Sequence, residues 1–166
     1  MNSNALRNLS YGVYIVTTWD KGRPTGCTAN SAMQITSTPA TLALSINVDN
    51  YTNSCIKDCG HFALNVLSET SEPSLIGGFG FMSGRDTDKF DGVEYKTISG
   101  FPVISDNCAY FVCKVKDTLE AGTHTVFLAE IIDADMSAGR PMTYSYYHEV
   151  VKGKTAKNAP TYLPDA

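Results

Sequence analysis

Apolar and polar positions alternate along this chain in short runs punctuated by turn formers, the period of strands more than of helices. "VYIVTTW" (13–19) is β-branched and aromatic and predicts a strand. "DKGRP" (20–24) supplies turn residues, and "TGCTANSAMQIT" (25–36) is expected to return beside it as the second strand of a hairpin. "STPA" (37–40) breaks the pattern, since Pro39 opposes a strand there. "TLALSIN" (41–47) alternates again as a third strand. "NYTNSCIKDCG" (50–60) carries helix marks: Thr52 or Asn53 as N-cap, Cys55, Ile56 and Cys59 on one face, Gly60 as the stop. "HFALNVLS" (61–68) reads as a strand, and "EPSLIGGFG" (72–80) as a short helix after Pro73. "FMSGRDTDKFDGVEY" (81–95) reads as an ordered loop. "KTISGFPVI" (96–104) and "CAYFVCKVKDTLE" (108–120) are strand-like. "AGTH" (121–124) turns the second of these into "TVFLAEIIDADM" (125–136), a long hairpin. A short helix is expected over "NALRNLSYGV" (4–13), ending near Gly12. The tail "RPMTYSYYHEVVKGKTAKNAPTY" (140–162) mixes aromatics with Lys and Gly, like a segment that docks on something.

Six or seven strands, two or three short helices and a dominance of antiparallel hairpins result. No regular strand–helix–strand alternation and no GxGxxG turn is present. The expectation is a mainly β single domain over residues 1–166, with 155–166 as a C-terminal tail. Its strands would form a closed or nearly closed β-barrel with helices as lids, rather than a doubly wound sheet.

Composition narrows the function classes. Apolar residues make up 43% and charged residues 18%, enough for a core and low enough in charge to suggest surface hidden in an oligomer. Thirteen basic against 17 acidic residues give a net charge of −4 with no basic stripe, so no nucleic-acid partner is expected. No apolar run reaches a membrane span and the N-terminus lacks a secretory pattern, so the reading is no membrane and a cytoplasmic location. Cys27, Cys55, Cys59, Cys108 and Cys113 form no CxxC pair, which argues against a zinc or iron–sulfur site.

Four stretches carry candidate chemistry. Thr28, Ala29, Asn30 and Ser31 are small and neutral. On a strand edge they would let a planar ring with alternating donors and acceptors approach the backbone, and they equally suit a hydroxyl-rich edge facing water. "SINVDNYTNS" (45–54) ends at the expected helix start, where free N–H groups suit a phosphate; ordinary N-capping accounts for it too, and Asp49 disfavours an anion. In "GRDTDKF" (84–90), Arg85 and Lys89 suit a phosphate clamp or simply a solvated loop. His124, in "AGTHT", sits at a hairpin turn that suits donation to a substrate or a ring edge, or tuning of local charge, while most lone histidines do none of these; His61 and His148 have no stronger case.

The order of the pieces says more than any one of them. "GVYIVTT", "TANS", "NYTNSCI", "HFALNVLS", "DKFDG", "GTHTVFLAEI" and "GKTAKNAPTY" together resemble the flavin reductase-like family of FMN-binding split barrels, over residues 4 to 162. Within that family the chain looks most like the flavin domain of high-molecular-weight rubredoxins and flavoredoxin-type carriers. The resemblance implies a split β-barrel, a homodimer and noncovalent FMN near the subunit interface. It implies that Thr28, Ala29, Asn30 and Ser31 contact the ring and ribityl parts. Ser45, Ile46 and Asn47, with Thr52 and Asn53, would hold the ribityl chain and phosphate, and Lys89 is a further phosphate contact. His124 matches the family histidine near the flavin face, and Cys27 a cysteine position beside it, as catalytic candidates. NAD(P)H is the implied co-substrate, and rubredoxin or a flavoprotein an implied redox partner. Electrons would pass through FMN to a flavin, a rubredoxin-type protein or another small acceptor. The alternatives are an FMN storage or sensing module without turnover, and a pyridoxamine-phosphate-oxidase-like enzyme, for which basic residues are sparse.

Overall fold

The computed structural model describes residues 2–162; residues 163–166 of the expected tail lie outside the described residues. A seven-stranded antiparallel sheet forms the body. Its strands are β1 (Tyr14–Asp20), β2 (Arg23–Ala29), β3 (Ala32–Ser37), β4 (Ala40–Asn47), β5 (His61–Val66), β8 (Ala109–Ala121) and β9 (His124–Met136). A separate hairpin holds β6 (Tyr95–Ile98) and β7 (Phe101–Ile104). Three α-helices accompany them: α1 (Tyr51–Cys59), α2 (Pro73–Phe81) and α3 (Tyr144–Glu149).

The strand order is β2-β1-β5-β8-β9-β4-β3. The two edges, β2 and β3, are consecutive in sequence, with only Asn30 and Ser31 between them. Three Cα–Cα steps of about 3.8 Å cannot span an open seven-stranded sheet, so the sheet curls until its edges face each other. Ser31 then accepts a backbone bond from Ser45 N at 2.9 Å, tying the link to β4. The result is the expected nearly closed barrel, open along one seam.

Alternation explains its filling. Val16, Cys27, Leu64, Leu44, Phe127 and Cys113 point into the barrel, where Ile56 of α1 joins them. The opposite face of β1 and β5 is buried as well, so those strands lose the clean polar alternation. Val13 and Ile15 pack there under α2, Phe90, Met142 and Tyr147, and Ala63 packs under the β6–β7 hairpin. Asn65, fully buried, stitches these layers: its Nδ2 donates to Ile15 O (2.8 Å) and its Oδ1 accepts from Ile104 N (2.9 Å).

Several expectations are corrected. "TGCTANSAMQIT" is not one strand: it breaks at Asn30–Ser31 and its halves lie on opposite edges of the sheet. Of "DKGRP" only Lys21 and Gly22 turn, both at positive φ, the geometry that matches strand twist in a two-residue hairpin. "KTISGFPVI" folds back at Ser99–Gly100, again at positive φ, giving nine strands among the described residues rather than six or seven. The α1 N-cap is Asn50, whose side chain accepts from Thr52 N (3.0 Å), not Thr52 or Asn53. Gly60 does stop α1, left-handed at φ 71° and bonded back to Ile56 O. The N-terminal helix is a 3-10 turn, Ser3–Asn8, that ends before Gly12. The tail docks as expected, but it also forms α3, which the sequence reading missed. Among the described residues no helix is long and apolar enough to cross a membrane, no cluster suited to a metal forms, and all five cysteines are free.

Candidate functional site

A cleft of about 560 Å³ opens where five segments meet, within the size range of small-molecule sites. The end of β2 contributes Thr28, Ala29 and Asn30, and the end of β4 contributes Ser45, Ile46 and Asn47. The turn into α1 adds Asp49, Asn50 and Tyr51, and the end of α2 adds Gly80 to Ser83. Residues 154–160 and Tyr162 of the tail form the remaining wall. The first two groups were expected from sequence. Barrel closure brings them together, because the β2 and β4 ends are neighbours only once β3 has crossed the seam.

The remaining candidates sit around the cleft rather than in its wall. Ser31 donates to Asn30 Oδ1 (2.9 Å) and supports it from behind. Thr52 and Asn53 are buried in α1, and Asn53 Nδ2 donates to Ile46 O (3.1 Å), bracing the end of β4. His124 pairs directly with Asn47 across β4 and β9, so it stands on the same sheet face beside the cleft. Its Nδ1 lies 2.9 Å from Thr123 Oγ1, while its Nε2 is buried with no hydrogen-bond partner. Cys27 faces the barrel interior at 1% exposure. Burial pushes its thiol pKa up, opposed in part by the nearby Lys89 cation and by Thr52 and Asn50. Lys89 is itself buried: its Nζ donates to Phe79 O (2.8 Å), and desolvation pulls its pKa down. It lines a second cavity, behind α2, not this cleft.

Two features of the wall escaped the sequence reading. Tyr51 is held by its hydroxyl, which donates to Asp20 Oδ2 (3.0 Å), and the same carboxylate oxygen takes Arg23 Nη2 at 2.9 Å. Arg23 also donates to Gly84 O (2.7 Å), folding the 82–88 segment over the barrel end, where Arg85 stacks on Tyr51 with its guanidinium carbon 5.2 Å from the ring centroid. The tail is the other feature: it was expected to dock on something, and "GKTAKNAPTY" was among the family-like pieces, but its place as a wall of this cleft was not foreseen.

The donor set suits a flat, mostly neutral ligand. Backbone, amide and hydroxyl groups of Thr28, Asn30, Ser45, Asn47 and Asn50 line the cleft beside the apolar Ile46, Phe81 and Met82. Asp49 is the carboxylate of the wall, and Lys154 and Lys157 are its cations. These residues fit a flavin nucleotide.

The flavin reductase like domain matches residues 6–154, nearly the whole chain. The chain belongs to the flavin reductase-like family. It is 44% identical over 165 residues to a high molecular weight rubredoxin of Moorella thermoacetica, covering 98% of this chain and 72% of that protein. It is 39% identical over 166 residues to a ferric-chelate reductase (NAD(P)H) of Archaeoglobus fulgidus, covering 98% of each. The solved structure of flavin reductase PheA2 in its native state superposes with a TM-score of 0.73 at 27% identity, over 86% of this chain and 93% of that one. The flavin reductase-like chain is an oxidoreductase, and the barrel expected from its sequence is the split barrel of this family.

Proposed function

We propose that this flavin reductase-like protein binds FMN in the 560 Å³ cleft and moves electrons through it. NAD(P)H or a redox partner would be the donor, and a flavin, a rubredoxin-type protein or another small acceptor would receive them. The observation that carries the reading is that the strand ends Thr28–Asn30 and Ser45–Asn47 line one cleft together. Strand ends offer fixed backbone N–H and C=O groups there, and small side chains let a ring approach them. FMN, when bound, supplies the hydride and single-electron chemistry that no side chain here has.

The protein's part is to bind and orient. Thr28, which lines the cleft, is fixed by donation to Ile76 O at 3.0 Å. Asn30 is clamped at both ends of its amide. His124, across the sheet from Asn47, would serve an incoming group once its buried, unpaired Nε2 is uncovered, and Thr123 holds the ring from the other nitrogen. Burial keeps Cys27 protonated in the barrel, which supports a packing role more than a chemical one.

The same reading includes a homodimer in the cytoplasm. Leu119 pairs with Val126, which pairs with Ser45 of the cleft, and Met33 pairs with Ala43, which pairs with Leu128. Met33 and Leu119 are about two-thirds exposed, so this apolar sheet face runs out of the cleft unpartnered in the single chain. A second copy laid on it would place each cleft beside the interface.

The test is the visible spectrum of purified protein incubated with FMN and desalted, followed by anaerobic addition of NADH, NADPH or reduced rubredoxin. A yellow protein bleached by one of these donors is expected. A colourless protein that does not quench flavin fluorescence overturns the reading. Bleaching by no donor reduces it to storage.

A further inference from the structure

Asn30 is buried, and both ends of its side chain are engaged by the protein: Nδ2 donates to Thr161 Oγ1 at 2.8 Å and Oδ1 accepts from Ser31 Oγ at 2.9 Å. Thr161, also buried, lies 131 residues away in the tail. From it a chain of hydrogen bonds runs back through the tail and α3. Thr161 Oγ1 donates to Tyr144 OH (2.9 Å), Tyr144 OH lies 2.6 Å from Thr155 Oγ1, and that oxygen lies 3.3 Å from His148 Nε2. His148 Nδ1 ends the chain 2.9 Å from Gly153 O.

Its direction follows from what each group is able to do. A carbonyl only accepts, so Nδ1 carries the proton. In the neutral ring Nε2 is then bare and accepts from Thr155. The Thr155 oxygen receives the Tyr144 proton, Tyr144 receives that of Thr161, and Thr161 is left to accept from an N–H. Only the NH₂ end of the Asn30 amide satisfies it. The carbonyl of Gly153 therefore dictates, through four side chains, which way the Asn30 amide points at the floor of the cleft.

We propose that Thr161 and Tyr144 are positioning residues of the flavin site. They lock the Asn30 amide and, by the same bonds, latch segment 153–162 down as the outer wall of the cleft. The latch is the cleft's door: a ligand bound against Asn30 leaves after the Thr161 contact opens, so its strength sets residence time. This rests on the flavin reading given above, and it adds the part played by the tail.

The experiment compares wild type, Thr161→Val, Thr161→Ser and Tyr144→Phe by FMN fluorescence titration, stopped-flow FMN release and the visible band shape of bound FMN, with thermal melts as a folding control. Valine keeps the shape of threonine and removes the hydroxyl; serine keeps the hydroxyl. Thr161→Val is expected to release FMN about tenfold faster, the equivalent of one neutral hydrogen bond, and to alter the band shape. Thr161→Ser should restore both, and Tyr144→Phe, which breaks the relay one step further out, should show a smaller acceleration. Wild-type release and spectrum in Thr161→Val and Tyr144→Phe would overturn the latch. Equal damage in the valine and serine variants would overturn it too, since packing alone would then explain the site. Should wild type bind no flavin, the flavin reading fails first and the latch with it; should wild type bind and the variants not differ, the latch alone fails.

Discussion

Replacing Gly153 with alanine tests whether the tail is a wall of the site. A Cβ at that position would fall 1.9, 2.1 and 2.4 Å from Cζ, Cε2 and Cε1 of Tyr147. Carbon atoms rest in contact at about 3.5–4.0 Å, so one side must move by about 1.5–2 Å. The ring cannot yield: Tyr147 is buried among Val13, Ile15, Phe79 and Met142. The tail must withdraw instead. Of its nearest ties, Gly153 N to Tyr147 O (3.0 Å), Gly153 O to His148 Nδ1 (2.9 Å) and Lys154 O to the Tyr147 hydroxyl (3.2 Å), the two made to side chains stretch beyond hydrogen-bond range first. The Thr155–Tyr144 and Thr161–Asn30 bonds then lose their register. At about 0.5–1.5 kcal/mol net for each bond, four losses amount to about 2–6 kcal/mol of local tail stability. The barrel core contributes none of these bonds, so the melting temperature should fall little. FMN affinity measured by fluorescence quenching should weaken about tenfold or more, the equivalent of one or two wall contacts. Limited proteolysis should cut between residues 152 and 162 faster than in wild type. Unchanged affinity together with unchanged proteolysis would refute the placement of the tail against the cleft.

Arg23 beside Asp20 holds that carboxyl below its ordinary pKa, with Tyr51 assisting. A carboxyl whose pKa is lowered by folding stabilises the fold above its unfolded value of about 3.9 and loses that contribution as pH falls through the folded value. The melting-temperature gap between wild type and Asp20→Asn should therefore be full near neutrality and close in acid; a gap independent of pH contradicts the pairing. Cys59 is the half-buried thiol and the other four are buried, with Cys113 pushed up to about 12 by burial. A chromogenic disulfide reagent should titrate one thiol rapidly in the native protein and five in denaturant; rapid modification of Cys27 would show that it is not in the barrel core. His124→Ala should slow reduction of bound FMN by NAD(P)H while leaving FMN bound, and normal turnover would remove His124 from the site.

Part of the cleft wall was legible locally: Thr28, Ala29 and Asn30 are small and neutral, stand at a strand end and line the cleft. Ser45, Ile46 and Asn47 line it too, and they were expected there from the family resemblance rather than from residue type. Thr52, Asn53 and Lys89 carried the same kind of signal, yet each spends its polar atoms inside the protein: Thr52 N on the N-cap, Asn53 on Ile46 O and Lys89 on Phe79 O. Residue type reports what a group is able to bind, and only packing reports what has already bound it. The Ser99–Gly100 turn was readable as a turn dipeptide inside an apolar run. Helix α3 was not: its six residues are too few to hold a helix alone, and it exists because Tyr147 is buried against the barrel.

The sequence by itself determined the local pieces. The β8–β9 hairpin, α1 with its Gly60 stop, and the alternation along β4 follow from side-chain period and backbone preference within a few residues. The tertiary structure decided what those pieces meet. Breaking "TGCTANSAMQIT" at Asn30–Ser31 sends one half to each edge of the sheet, and that closure creates the cleft. The tail then completes it by bonding Thr161 to Asn30, 131 residues away. Periodicity encodes which face of a segment is buried; it carries no record of which distant segment covers it, and that is settled only when the sheet curls and its surfaces compete for partners.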